Sequence, residues 1–155
     1  METIICGVDS SVGAREALRI AVDLGDRFGY RVVAVHVVQR EEADGERDIG
    51  AATLRARGRA ERVLAEVLDD EGLVGTIEWR AEVGETTERL AAVAEEERAA
   101  LIVLGSQTTA ASAGLRGWLA NEVARRTAVP VAVPAERGIV GGRDVGRGES
   151  TGKAA

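Results

Sequence analysis

Apolar residues fall along this chain in two rhythms that alternate. Residues 3–8 (TIICGV) form a short β-branched run that breaks into Asp-Ser-Ser, as a buried strand does on entering a polar turn. Residues 12–28 then carry Ala14, Ala17, Leu18, Ala21 and Leu24 at helical spacing, with Ser10 or Ser11 as the cap and Gly29 as the stop. Residues 31–38 (RVVAVHVV) read as a second buried strand, and 39–50 as a polar loop. Residues 51–70 set Leu54, Val63, Leu64, Val67 and Leu68 on one side of a second helix, with Gly58 as a slight weakness. Residues 76–83 alternate Ile77, Trp79, Ala81 and Val83 with Glu78, Arg80 and Glu82, the pattern of a strand at a sheet edge. A third helix over 85–98 turns Leu90, Val93 and Ala94 inward. Residues 100–104 are apolar throughout and therefore central in the sheet. After a loop of small and hydroxyl residues (105–115), a fourth helix over 116–127 turns Leu119, Val123 and Ala124 inward. A fifth strand over 129–133 has Pro130 near its start, as an edge strand or a first position allows.

Strand and helix thus alternate through five strands and four helices. That order predicts an α/β domain: an open parallel sheet with right-handed crossovers and helices on both faces. The domain is expected over residues 1–134. The remainder, 135–155, has mixed charge, many glycines and little apolar content, and is expected to be a disordered tail.

Composition narrows the function classes. The 155 residues are 45% hydrophobic, enough for one buried core, and carry a net charge of −6, which disfavours nucleic acid and anionic membranes as partners. Lys153 is the only lysine, so the domain has no lysine nucleophile. Cys6 is the only cysteine and His36 the only histidine, which excludes an intramolecular disulfide and a cysteine-ligated zinc site. Cys6 reads as an inert core residue, and His36 as a core or strand-end histidine with no second ligand nearby. No apolar run is long enough to span a membrane, and the first residues lack the pattern of a secretion signal, so a cytoplasmic location is expected. No GxSxG elbow, HExxH or Walker A loop occurs.

In open parallel sheets, ligands sit at the carboxyl ends of the strands where strand order reverses. If the fourth strand returns to the far side of the first, two segments flank that point: Gly7-Val8-Asp9-Ser10-Ser11 and Gly105-Ser106-Gln107-Thr108. Small residues beside a helix N-terminus suit an anion or a ribose, and Asp9 is the carboxylate placed to accept hydrogen bonds from a sugar or base amine. The plainer alternatives are a helix cap for Asp-Ser-Ser and a turn glycine for Gly105.

Four segments together resemble the universal stress protein (UspA-like) family: IICGVDSSVGAREAL (4–18), VVAVHVV (32–38), EVGETTERLAAVAEEERAALIVLGS (82–106) and NEVARRTAVPVAV (121–133). The resemblance implies a Rossmann-like sheet of strand order 3-2-1-4-5 and a cytoplasmic homodimer joined through fifth strands. Val129, Val131 and Val133, an apolar edge without charge, agree with such pairing; the alternative is that the chain after Pro134 folds back over that edge. Many members bind ATP or a related adenine nucleotide through the aspartate after strand one and a G-x-x-G-x9-G-[ST] motif after strand four. Here Asp9 and Gly105 match. Thr108 stands where the second glycine belongs, the third falls on Gly117, Trp118 replaces the serine or threonine, and the loop is one residue short. A threonine resists both the close backbone approach and the positive φ that a phosphate-binding glycine permits.

The expected site is therefore Asp9, Ser10, Gly105, Ser106, Thr108 and Gly117, holding ATP, ADP or AMP with Mg²⁺ weakly or vestigially. Ser106, Thr108, Thr109 and Ser112 are the hydroxyls able to substitute for the missing motif. The expected function is that of a non-catalytic regulatory or protective protein acting through unidentified protein partners, with an adenine-nucleotide sensing module as the alternative. The strand-one turn is also similar to the SGGxDS loop of PP-loop ATP pyrophosphatases, but it lacks the paired Ser-Gly and a catalytic lysine downstream.

Overall fold

A computed structural model describes residues 1–40, 48–106, 118–135 and 138–141. In chain order these form β1 (Thr3–Gly7), α1 (Val12–Phe28), β2 (Arg31–Val38), α2 (Ile49–Asp70), β3 (Glu78–Val83), α3 (Thr86–Glu96), β4 (Leu101–Val103), α4 (Trp118–Arg126), β5 (Val131–Ala135) and β6 (Gly138–Gly141). The first five strands are parallel and stand in the order 3-2-1-4-5, as the sequence implied. β6 adds a sixth, antiparallel strand outside β5. At 138–141 the chain after Pro134 thus lies back along the β5 edge, the alternative raised for that edge in the sequence analysis.

The pleat of the central strands divides the core into two layers. Ile4, Cys6, Val32 and Ala34 face α1 and α2, where they meet Ala17, Leu18, Ala21, Leu64, Val67 and Leu68. Ile5, Val33, Val35 and Ile102 face α3 and α4, where they meet Leu90, Val93, Leu119 and Val123. Each large side chain buried this way contributes about 1.5–3 kcal/mol relative to exposure. Gly29 ends α1 in the left-handed conformation (φ 69°), and its N–H closes on Gly25 O.

Two inward assignments need correcting, and the alternation of β3 resolves unexpectedly. Leu54 is 72% exposed, because α2 buries Ala52, Ala56 and Ala60 in its first turns and turns its larger residues inward only from Leu64. In α4, Ala120 rather than Ala124 is buried. In β3, Trp79 is half-exposed and Glu82 is buried. Arg80 and Arg89 both reach Glu82 (2.6 and 2.9 Å), and their ion pairs permit a carboxylate at a position that alternation alone would leave wet. No described helix is long and apolar enough to cross a membrane.

Candidate functional site

β1 hydrogen-bonds to β2 on one side and to β4 on the other, so chain order reverses at β1 and a crevice opens beyond its carboxyl end. Val8 prolongs the ladder by one bond, donating its N–H to Val35 O (2.8 Å). The chain then turns. Asp9 Oδ1 accepts from Ser11 N–H (2.8 Å), and Ser11 Oγ accepts from Ala14 N–H (3.2 Å), so Ser11 is the cap of α1 and Asp9 fixes the turn ahead of it. The cap alternative therefore holds for Ser11, while Asp9 combines turn-making with a place on the wall of the crevice.

The cavity in the crevice measures about 140 Å³. Its wall is Gly7, Val8 and Asp9 from the end of β1, Val35, His36 and Val37 from β2, Thr86 and Leu90 from α3, Leu104 after β4, and Leu119 from α4. Gly7 matters for its shape: a Cβ there would lie 2.5 Å from Leu104 Cδ2, so the absence of a side chain lets Leu104 close one wall. His36 Nδ1 lies 2.5 Å from Val8 O. A carbonyl only accepts, so Nδ1 carries the proton, and in the neutral ring Nε2 is left as an acceptor. The wall is apolar apart from Asp9, His36 and the Thr86 hydroxyl, and Asp9 is its one formally charged carboxylate among the described residues.

Of the four expected site residues that the structure describes (Asp9, Ser10, Gly105 and Ser106), Asp9 lines this cavity. Ser10 is exposed and Ser106 half-buried. Gly105 is buried against the first turn of α1: a Cβ on it would lie 2.6 Å from Gly13 C and 2.7 Å from both Gly13 O and Ala14 N. Its φ is not among the positive ones. The glycine serves close packing of loop on helix, rather than the free turn allowed for in the sequence reading. Thr108 and Gly117 lie outside the described residues, as do Thr109 and Ser112. Sequence reasoning missed Val35, His36, Val37, Thr86, Leu90, Leu104 and Leu119 as wall residues. Six of them carry ordinary core or helix-start signals, and only the polar His36 inside an apolar strand marked itself out.

Burial pushes the Cys6 thiol up to about 12. Among the described residues no group of three or more His, Cys, Asp or Glu is placed to hold a metal ion.

Residues 1–133 match the sequence model of the universal stress protein family. A universal stress protein UspA from Lactobacillus plantarum superposes with a TM-score of 0.71 at 20% identity, over 85% of this chain and 96% of that one. A universal stress protein in complex with cAMP gives 0.62 at 20% identity, over 86% and 97%. A family protein from Arabidopsis thaliana with AMP bound gives 0.58 at 14% identity, over 86% and 90%. No curated protein matches the chain.

Proposed function

The chain belongs to the universal stress protein family, and from that premise we propose that it is a non-catalytic regulatory protein of the cytoplasm, a homodimer through β5, with a weak adenine-nucleotide site in the crevice beyond β1. The observation that carries the reading is the character of the cavity wall. A volume of about 140 Å³ is close to the roughly 150 Å³ that admits a benzene ring. An aromatic base edge therefore enters, with Asp9 and His36 Nε2 as polar partners for the base or ribose. Phosphates fare worse. No Lys or Arg lines the described wall, and its one carboxylate has the same sign as the phosphates. Thr108 and Trp118 occupy the motif positions at which a glycine and a hydroxyl would serve the phosphate chain. Weak binding of AMP, with little gain from added phosphates, follows. The cAMP and AMP bound in the two relatives named above support an adenine nucleotide as the ligand class.

Thermal unfolding in millimolar AMP, ADP or ATP, each with Mg²⁺, tests this. At ten times the dissociation constant a ligand stabilises by about 1.4 kcal/mol, which is a rise of roughly 3–6 °C for a chain of this size. AMP is expected to raise the midpoint at least as much as ATP, and Asp9→Ala to abolish the rise relative to its own ligand-free midpoint. A larger rise with ATP would mean that phosphate contacts dominate. No rise with any nucleotide would refute the site.

A further inference from the structure

The two edges of the sheet are protected by different means. β3, at one edge, carries Glu78, Arg80 and Glu82, which are tied into ion pairs with Arg31, Glu96, Glu97 and Arg89. Charges of this kind discourage strand addition. β5, Val131–Ala135, has no charged residue. It does have a proline at Pro134, another immediately before it at Pro130, and prolines ordinarily blunt an edge by removing donors.

Here they do not blunt it. Ile102 N–H donates to Pro130 O (2.9 Å) and Leu104 N–H to Ala132 O (3.0 Å). Backbone groups of successive strand residues point to opposite sides, so Pro130, Ala132 and Pro134 face β4. Both missing N–H groups therefore fall on the inner side. Val131, Val133 and Ala135 face outward with their donors and acceptors intact. The outer edge of β5 is a complete, uncharged hydrogen-bonding template, and β6 is what covers it, with Val133 opposite Val140 and Ala135 opposite Gly138. By the same alternation the Val140 N–H points at β5 and the Ile139 N–H points away.

We propose that β6 is a guard held in cis over the β5 edge, and that the surface it covers fits the same strand of a second copy, so that dimerisation requires β6 to be displaced. A neutral strand with donors at every second residue complements itself: a two-fold axis at Val133 sets Val131 of one copy opposite Ala135 of the other. Continuous pairing of that kind and the cis β5–β6 ladder use the same backbone groups, so they exclude each other. This inference rests on the homodimer in the reading above and not on the nucleotide site. If β6 covers the edge in about nine copies of ten, each copy is competent a tenth of the time. Because two copies must open together, removing the guard tightens association by about a hundredfold.

The test is the dimer dissociation constant of the full-length chain, measured by sedimentation across a concentration series. Val140→Pro removes the donor that β6 offers to β5, and is expected to tighten association at least tenfold. Ile139→Pro, whose N–H points away, is expected to leave it within a factor of two or three. The pair V133C/V140C provides the opposite perturbation. Directly opposed hydrogen-bonded residues stand about 5.5 Å apart at Cα, within disulfide range, and the native Cys6 is buried. Oxidised within one chain, this variant is expected to stay monomeric and to regain association on reduction. The proposal is overturned if Val140→Pro associates no more tightly than the unaltered chain, if the oxidised pair dimerises as well as the reduced one, or if the disulfide forms between copies. The thermal shift with AMP is read separately, so loss of the guard and loss of the nucleotide site are distinguishable.

Discussion

Gly105→Ala isolates the packing of the loop after β4. A methyl group at this position would meet backbone atoms of Gly13 and Ala14 at 2.6–2.7 Å, whereas ordinary contact begins at 3.4 Å. The obstacle is the first turn of α1, which is anchored by the Ser11 cap and cannot rotate aside as a flexible side chain would. The loop must instead back away by roughly 0.8 Å, a shift of the kind that costs about 1–3 kcal/mol in a packed interior. For a domain of this length that lowers the unfolding midpoint by about 2–12 °C. Leu104 precedes the glycine and walls the cavity against Gly7, so nucleotide-induced stabilisation should weaken in the same variant. The assay is thermal and urea unfolding followed by far-UV circular dichroism, with Gly58→Ala as the control. A Cβ at Gly58 meets nothing within 4 Å in the middle of α2, and alanine there should stabilise by about 0.5–1 kcal/mol. If Gly105→Ala unfolded at the temperature of the unaltered chain while losing its response to AMP, the packing argument would be wrong and the glycine would be serving the ligand.

Three further outcomes follow from other groups. Cys6, buried and with its thiol pushed up to about 12, should resist alkylation in the native protein and react only on unfolding; labelling at the rate of a free thiol would contradict its burial. Hydrogen bonds from Arg19 hold Glu71 below the ordinary carboxylate value, the Thr87 hydroxyl does the same for Glu85, and in Glu97 burial is outweighed by Arg31 and Arg80. Their stabilisation is complete above the usual value of 4.5 and is lost as pH falls through their lowered folded values, because the unfolded chain takes up protons first. The urea midpoint should therefore be level at neutral pH and fall in acid, and a midpoint unchanged down to about pH 3 would defeat the assignment. Glu85→Ala removes the side chain that accepts from Thr87 N–H and Glu88 N–H at the start of α3. It should cost about 1 kcal/mol, read as a lower urea midpoint with an unchanged slope.

Much of the fold could be read from local pattern, because burial on a sheet leaves a simple record. Continuous apolar runs became β1, β2 and β4, helical spacing became α1 to α4, and strict alternation put β3 at an edge. The turn at Asp9 was legible as well, since the apolar run of β1 breaks there into Asp-Ser-Ser ahead of a helical pattern. What local pattern could not supply is how distant segments meet. The rest of the cavity wall comes from residues such as Leu90, Leu104 and Leu119, whose core signals are the same whether or not an opening adjoins them. Gly105 looked like a turn or phosphate glycine until the approach of α1, more than ninety residues earlier in sequence, gave it a steric role. Glu82 looked exposed until Arg80 and Arg89 closed over it. The side on which the two prolines lose their donors depends on which neighbour β5 has, and that is settled by strand order. Sequence by itself determined the elements, their alternation and hence the parallel architecture, because periodicity reports whether a position is buried. Tertiary structure alone decided the cavity, the choice between an open and a covered β5 edge, and the partners of the buried charges, because these are contacts between segments whose separation along the chain carries no periodic signal.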